Sequence, residues 1–398
     1  MKQSILFVDD DLNLLRSLQR LLRSQGDRWD MAFLDDPQAA LALLTDRQFD
    51  VVVSDMRMPG LDGAQFLAEV EQLHPGALRV VLSGYAEEKS LFRSIGPAHQ
   101  YLAKPCEPAA IVAVMARAER LRRILGDARL RAVTAALHNL PSPPDLYLRL
   151  TDAMSRDTVS TKAITQIVAE DVAMTAALLK ITNSSYFAVN SRVTTVGQAI
   201  RLLGLETVRA LALSHGVFRQ YQGKPGLAEK LHLLNDHSLV LAELAQRLAK
   251  DDGADETTQA EAYCAGLLSG IGTLVLLDAN ADDYEDALVK SVELGFEAAE
   301  RMIFGTSHAE IGAYLLGLWG FSEPVMEGVF YQLHPSDCPN RDRGALTYLH
   351  LARVFGPPFP LVERPMPSSA MLDRIYACRL DLTVLVEPSM TYDQGAVA

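Results

Sequence analysis

Asp9, Asp10 and Asp55 are three carboxylates standing at turns, and Ser83 and Lys104 occupy comparable positions farther along the chain. Brought into one place, three carboxylates repel by roughly 4 kcal/mol per close pair at an effective dielectric of 20. Such a cluster either protonates or recruits a hard cation with oxygen ligands. Mg2+ suits it, because that ion keeps several waters and binds through one or two carboxylates plus a phosphate. With the charge neutralised, an aspartate oxygen can attack phosphorus and form an acyl phosphate. Lys104 would place a point charge on the transferred group, and Ser83 would donate a hydrogen bond to a phosphoryl oxygen. Asp11, beside the first pair, fits better as the N-terminal acid of a helix than as a ligand.

A run of alternating strands and helices could bring these residues together. Ser4–Val8 has the pattern of a strand ending in Asp9, Asp10 and Asp11, after which Leu12, Leu15, Leu18 and Leu22 recur at helical spacing. Met31–Leu34 is a short strand, and Pro37 opens a helix carrying Ala40, Leu41 and Leu44. Val51–Ser54 has the length and β-branching of a buried parallel strand and stops at Asp55, before a Met-Pro-Gly turn. A helix with Phe66, Leu67 and Val70 follows, then a strand at Arg79–Leu82 ending on Ser83-Gly84. After a short helix, Gln100–Ala103 ends on Lys104-Pro105, and Ile111–Ala118 begins the last helix. Five strands alternating with helices imply an α/β doubly wound, five-stranded parallel sheet. In that fold Asp9, Asp10, Asp55, Ser83 and Lys104 all fall at strand carboxyl ends, the edge where open α/β sheets place their chemistry.

The segments VDD at Val8–Asp10, SDMRMPGLDG from Ser54, LSGY from Leu82 and YLAKP from Tyr101 resemble, in order and spacing, the receiver domain of two-component response regulators. The resemblance covers about residues 1–125. It implies that Asp55 is the phosphoacceptor, assisted by Lys104 and Ser83. It also implies that Asp10 and Asp55 ligate Mg2+ with the backbone carbonyl of Arg57, while Asp9 acts through water. Ser83 and Tyr101 would be the switch pair; a half-buried core aromatic is the other reading of Tyr101, but its place three before Lys104 favours the switch. The Lys104-Pro105 bond is expected to be cis.

The 398 residues allow two or three domains, and 49% hydrophobic with 22% charged residues describe an ordinary globular composition. No apolar run approaches the ~20 residues that span a bilayer, and Met1-Lys2-Gln3 leads into a strand without a signal peptide. Cys106, Cys264, Cys338 and Cys378 are far apart and form no CxxC pair, which indicates free thiols in a reducing, cytoplasmic setting and no zinc site. A net charge of −13 disfavours nucleic acid and anionic membranes as direct partners.

Past the receiver-like part, a connecting stretch at 126–144 is expected to end at Pro141, Pro143 and Pro144. The helical pattern before it, interrupted at Gly126, belongs either to two separate helices or to one relay or dimerising helix that would make a homodimer. Residues 145–343 have a helical pattern nearly throughout, with no convincing strand; Ala265–Leu277 and Leu239–Leu248 are examples. The order of His237, LLSGIGTLVL at Leu267–Leu276, His308 and His334 resembles the HD superfamily of metal-dependent phosphohydrolases, but Ser269 and Gly270 stand where that family has its His-Asp pair. Serine is a poor metal ligand and glycine offers no side chain. NSSYFAVNSRVTTVGQAIRLLGLETVRALAL from Asn183, with LPSPPDLYLRL before it, resembles the HDOD domain, an HD-related output module. That implies no metal in this part and leaves His237, His308 and His334 to pack or hydrogen-bond. Residues 344–386 form a C-terminal helical extension around a proline-rich connector, and 387–398 a disordered tail.

The resulting expectation is a bacterial response regulator. A sensor histidine kinase phosphorylates Asp55, and a non-catalytic output domain passes the signal to an unidentified protein partner. The alternative is a receiver-controlled HD-type phosphohydrolase or cyclic-dinucleotide phosphodiesterase.

Overall fold

Strands β1 (Gln3–Val8), β2 (Trp29–Leu34), β3 (Val51–Asp55), β4 (Leu78–Gly84) and β5 (Gln100–Lys104) pair in parallel, in the order β2-β1-β3-β4-β5. The computed structural model describes residues 2–84, 98–104, 109–116, 141–142, 149–150, 153, 161–183, 193–204, 208, 219–220, 225–340, 342–361, 373 and 376; for Ser83 and Tyr101 it describes the backbone alone. Ile5, Leu6, Val51, Val52, Val53, Val80 and Val81 are without solvent contact. This is why these strands are continuous apolar runs rather than alternating ones: helices cover both faces of the sheet. Each such side chain stabilises the fold by about 1.5–3 kcal/mol.

The helices begin where side-chain caps allow. Asp11 accepts hydrogen bonds from the backbone of Asn13 and Leu14 at the start of α1 (Leu12–Leu21), the role expected of it. Asp36 caps α2 (Pro37–Asp46), with Pro37 at its first position. Asp62 and Gln65 form a capping box at the start of α3 (Gly63–Leu73). Residues 109–116 are helical, with Ile111 and Met115 fully buried. The short helix expected before β5, and the Lys104-Pro105 bond, lie outside the described residues.

The second part is a bundle of α4 (Thr161–Ala169), α5 (Val172–Thr182), α6 (Val196–Leu203), α7 (Pro225–Asp251), α8 (Glu256–Leu268), α9 (Ile271–Ala279), α10 (Ala281–Leu294), α11 (Phe296–Phe304), α12 (His308–Leu318), α13 (Glu323–Phe330) and α14 (Ala345–Phe355). Three features depart from the sequence-based expectations. Pro141–Ser142 pairs in parallel with Arg219–Gln220, a two-residue pairing too short to leave a periodic signal. The apolar run Ala265–Leu277 is two helices, broken at Ser269-Gly270. Together α8 and α9, Glu256–Ala279, are long and apolar enough to cross a membrane, contrary to expectation; 83% of the apolar window is buried inside the protein, as in a core.

Close approach explains the composition of α9. A Cβ on Gly272 would lie 1.9 Å from the carbonyl oxygen of His308, so only glycine lets α9 meet the start of α12. α14, placed in the extension by sequence, packs into the bundle through Leu349, Leu351 and Ala352, all without solvent contact. Tyr348 on α14 donates to Asp252, which also accepts from Arg343. Asp373 accepts from Ser336 Oγ at 2.7 Å, tying a point of the later chain to the bundle. The connecting stretch through residue 140 and the tail 387–398 lie outside the described residues.

Candidate functional site

Strand register assembles the site. Asp55 ends β3 and pairs with Leu82, while Gly84, two residues on, pairs with Lys104 at the end of β5. Val8, the last residue of β1, pairs with Ser54, so Asp9 and Asp10 emerge beside Asp55. Asp9, Asp10 and Asp55 each offer a carboxylate oxygen within 4.8 Å of the others, a combination found nowhere else among the His, Cys, Asp and Glu of the described residues. Asp9 and Asp55 are buried and Asp10 faces solvent. Lys104 Nζ lies 2.6 Å from Asp9 Oδ2 and 2.6 Å from Asp55 Oδ1.

Second-layer contacts hold this arrangement. Asp9 Oδ1 accepts from the backbone N–H of Asp11 at 2.9 Å, and Asp55 Oδ2 accepts from that of Arg57 at 3.3 Å. Gly63 at the head of α3 donates its N–H to Met56 O, and a Cβ there would lie 2.0 Å from the carbonyl oxygen of Asp55. The packing of α3 against the site therefore requires glycine, a constraint that composition alone does not show. A cleft of about 370 Å³ opens alongside, lined by Asp10, Met56, Arg57 and Asp62 among others. Arg57 is exposed at its rim.

The electrostatics follow from partial burial. Asp55 is raised above the ordinary carboxylate range by burial, with the Asp9 charge adding and the Lys104 bond opposing. For Lys104, burial favours the neutral amine, but its bonds to Asp55 and Asp9 outweigh this and raise it. Three carboxylate oxygens in reach of one point, one carboxylate open to solvent, fit a hard cation that retains water. The structure thus brings Asp9, Asp10, Asp55 and Lys104 together. Ser83 lies in β4 one residue past the partner of Asp55, and Tyr101 lies in β5 beside Val81.

Residues 5–116 match the response regulator receiver domain family, and residues 140–335 match the HDOD domain family. This chain joins a response regulator receiver domain to an HDOD domain. An uncharacterized protein of Treponema pallidum is 25% identical to this chain over 320 residues, 77% of this chain and 59% of that protein. The hydrogenase transcriptional regulatory protein HoxA of Cupriavidus necator is 30% identical over 161 residues, 40% of this chain and 30% of that protein. The chain thus spans less than two thirds of the length of either relative. Among solved structures, the MmoQ response regulator of Methylococcus capsulatus is 27% identical, with a TM-score of 0.47, covering 62% of this chain and 98% of that one. The signal receiver domain of an HD domain-containing protein from Pseudomonas fluorescens is 30% identical, with a TM-score of 0.29, covering 31% of this chain and 98% of that one.

In the HDOD part of the chain, His237 and His308 share an aromatic neighbour and His334 stands at the surface. His308 is buried, and its Nδ1 lies 2.7 Å from Glu300 Oε2, which also accepts the His308 backbone N–H. His334 is exposed and reaches Glu297 at 2.9 Å. His237 packs edge-on against Phe359, 5.7 Å between ring centroids, and the same Phe359 ring faces His308 at 6.5 Å. Burial, with Arg353 nearby, lowers His237 to about 4. Ser269 Oγ donates to Gly266 O at 2.7 Å, so the hydroxyl is used within its own helix end. A Cβ on Gly270 would lie 3.0 Å from Ser238 Oγ. Glu300, Glu297 and Phe359 were not legible as partners of these histidines, since no motif spacing links them. His215 lies outside the described residues.

Proposed function

We propose that Asp55 accepts a phosphoryl group from a sensor histidine kinase, and that the HDOD domain reports this through protein contacts without catalysis of its own. The observation that carries the reading is the convergence of Asp9, Asp10 and Asp55 on one point with Lys104 Nζ 2.6 Å from Asp55. Asp10 and Asp55, with the Arg57 carbonyl and Asp9 through water, would hold Mg2+, which when bound neutralises the clustered charge and the incoming phosphate oxygens. An Asp55 oxygen forms the new bond to phosphorus as the bond from phosphorus to the donor imidazole nitrogen breaks, and that nitrogen leaves with the electron pair. Lys104 is already within bonding distance of Asp55 and can follow the added charge, while Ser83 and Tyr101 form the switch pair. The phosphoryl group adds about −1.5 to −2 charge and three acceptor oxygens. To move the switch from 1:99 to 99:1 it must favour the active state by about 5.5 kcal/mol.

The output side supports a binding role. The hydroxyl of Ser269 is bonded within its own helix and Gly270 offers no ligand; His237 and His308 pack on the shared Phe359 ring, His334 pairs with Glu297, and among the described residues they form no group of converging ligand atoms. The HD-type phosphohydrolase alternative would need them to share one ion. A reducing cytoplasm suits the buried free thiols Cys264 and Cys338. The test is incubation of the full chain with a small acyl-phosphate donor and Mg2+, read by intact mass. The expected result is one phosphoryl added, lost in Asp55→Asn and on omitting Mg2+. A gain that survives Asp55→Asn would refute the assignment.

A further inference from the structure

One face of α10 carries residues that do nothing for the helix itself. Asp286, Val289, Val292 and Glu293 follow one another there at helical spacing, all exposed. Val289 is 73% exposed and Val292 49%, although a β-branched residue in water costs a helix rotamer freedom and returns no packing. Glu293 stands in the last turn, where a negative charge opposes the helix dipole. Past Gly295, α11 packs against α10 and leaves Met302 63% exposed. Val289 and Met302 are the most exposed large hydrophobic side chains among the described residues.

Acids border these apolar groups. α10 carries Asp282, Asp283, Glu285, Asp286 and Glu293 against the single base Lys290. Glu285 pairs with Lys230 at 2.8 Å and Asp283 accepts from Asn280, but Asp286 and Glu293 take part in no ion pair among the described residues. On α11, Arg301 beside Met302 is held by Glu297 and Glu310, so its charge is neutralised within the protein. A second copy of this face would set acid against acid, and an anionic membrane or a nucleic acid would be repelled.

We propose that the α10–α11 face is a docking surface for a basic amphipathic helix of another protein. The apolar stripe of that helix covers Val289, Val292 and Met302, and its lysines or arginines meet Asp286 and Glu293. Paired helices receive a third through apolar side chains repeating every three or four residues, and the unbranched methionine adapts to their shape. A surface of this size gives weak, quickly exchanging binding, in which the charges speed the encounter and choose the partner. The proposal names the surface for the protein contacts proposed above and rests on that reading of the HDOD domain as a binding module. It does not require that Asp55 be phosphorylated.

The probe is a fluorescein-labelled peptide about five helical turns long, with leucine along one face and lysine elsewhere. It is titrated with the full-length protein at about 0.05 M and about 0.3 M salt and read by anisotropy, beside a scrambled peptide of the same composition. The amphipathic probe should bind saturably and at least tenfold more tightly than the scrambled one. Val289→Ser with Met302→Ser should weaken binding about tenfold at both salt concentrations, because apolar burial is not screened. Asp286→Lys with Glu293→Lys should weaken it about fivefold at low salt and less than twofold at high salt. All four positions are exposed, so thermal unfolding of both variants should match the native chain. Equal binding of the two peptides, full affinity in Val289→Ser with Met302→Ser, or a native dimer in sedimentation that this variant dissolves would overturn the proposal. Phosphorylation is scored separately by intact mass. A wrong phosphoacceptor shows as no mass gain with probe binding intact, and a wrong surface as a mass gain with equal binding of both peptides.

Discussion

Replacing Lys104 with methionine should destabilise the receiver in a way that only a bridging lysine explains. Its ammonium sits 2.6 Å from both Asp9 and Asp55, whose side chains are 1% and 9% exposed, while Lys104 is 24% exposed. Breaking a fully buried ion pair costs about 3–5 kcal/mol, because the remaining charge is left unpaired. Water reaches Lys104 in part, which brings the expected loss to about 2–3 kcal/mol at pH 7.5. A ceiling exists, since protonating one ordinary aspartate at pH 7 costs roughly 4 kcal/mol, after which the repulsion is gone. The sign with pH follows. Without the lysine, the native carboxylates bind protons more readily than the unfolded ones, so the loss is largest at pH 7–8 and shrinks as pH falls toward 4. The assay is urea unfolding in a Trp319→Phe background, where the buried Trp29 alone reports the receiver. Adding Asp55→Asn to Lys104→Met should restore at least half of the loss. A loss below about 1 kcal/mol, an equal loss at pH 4.5 and 7.5, or strict additivity of the two substitutions would refute the bridging geometry.

Asp55→Asn alone should stabilise the receiver by about 1 kcal/mol while abolishing phosphorylation, since the raised carboxylate resists ionising where it is buried; paired unfolding and intact-mass measurements check this. In the absence of divalent cation, Asp55 should take up its proton on acidification at a higher pH than an ordinary aspartate near 3.9, because burial favours the neutral carboxyl; a carboxyl-carbon NMR titration of the metal-free protein reads it. Gly272→Ala should cost the HDOD domain about 2–3 kcal/mol or more, because the added carbon meets the His308 carbonyl and neither backbone can yield cheaply; thermal unfolding followed by Trp319 measures it. Glu300→Ala should destabilise the same domain by about 2–4 kcal/mol by stripping His308 of a partner that holds both its ring and its backbone N–H; the same unfolding assay applies.

Much of this molecule is written locally. The parallel strands are largely apolar segments of five to seven residues, the helix starts carry Asp11, Asp36 and Asp62, and the acids stand where strands end, so the receiver sheet and the gathering of Asp9, Asp10, Asp55 and Lys104 could be read residue by residue. Other features depend on segments distant in sequence. Gln100 donates to the carbonyl oxygen of Leu318, 218 positions away, and Glu71, Arg79 and Lys180, all buried, look in sequence like charges on solvated faces. The break between α8 and α9 at Ser269-Gly270, the need for Gly272 against His308, and Phe359 lying on His237 and His308 likewise arise only when helices cross. Periodicity and capping depend on neighbours within a turn or two of the chain. The cost of burying a charge depends on what the fold sets against it, and for this chain tertiary packing alone decided that.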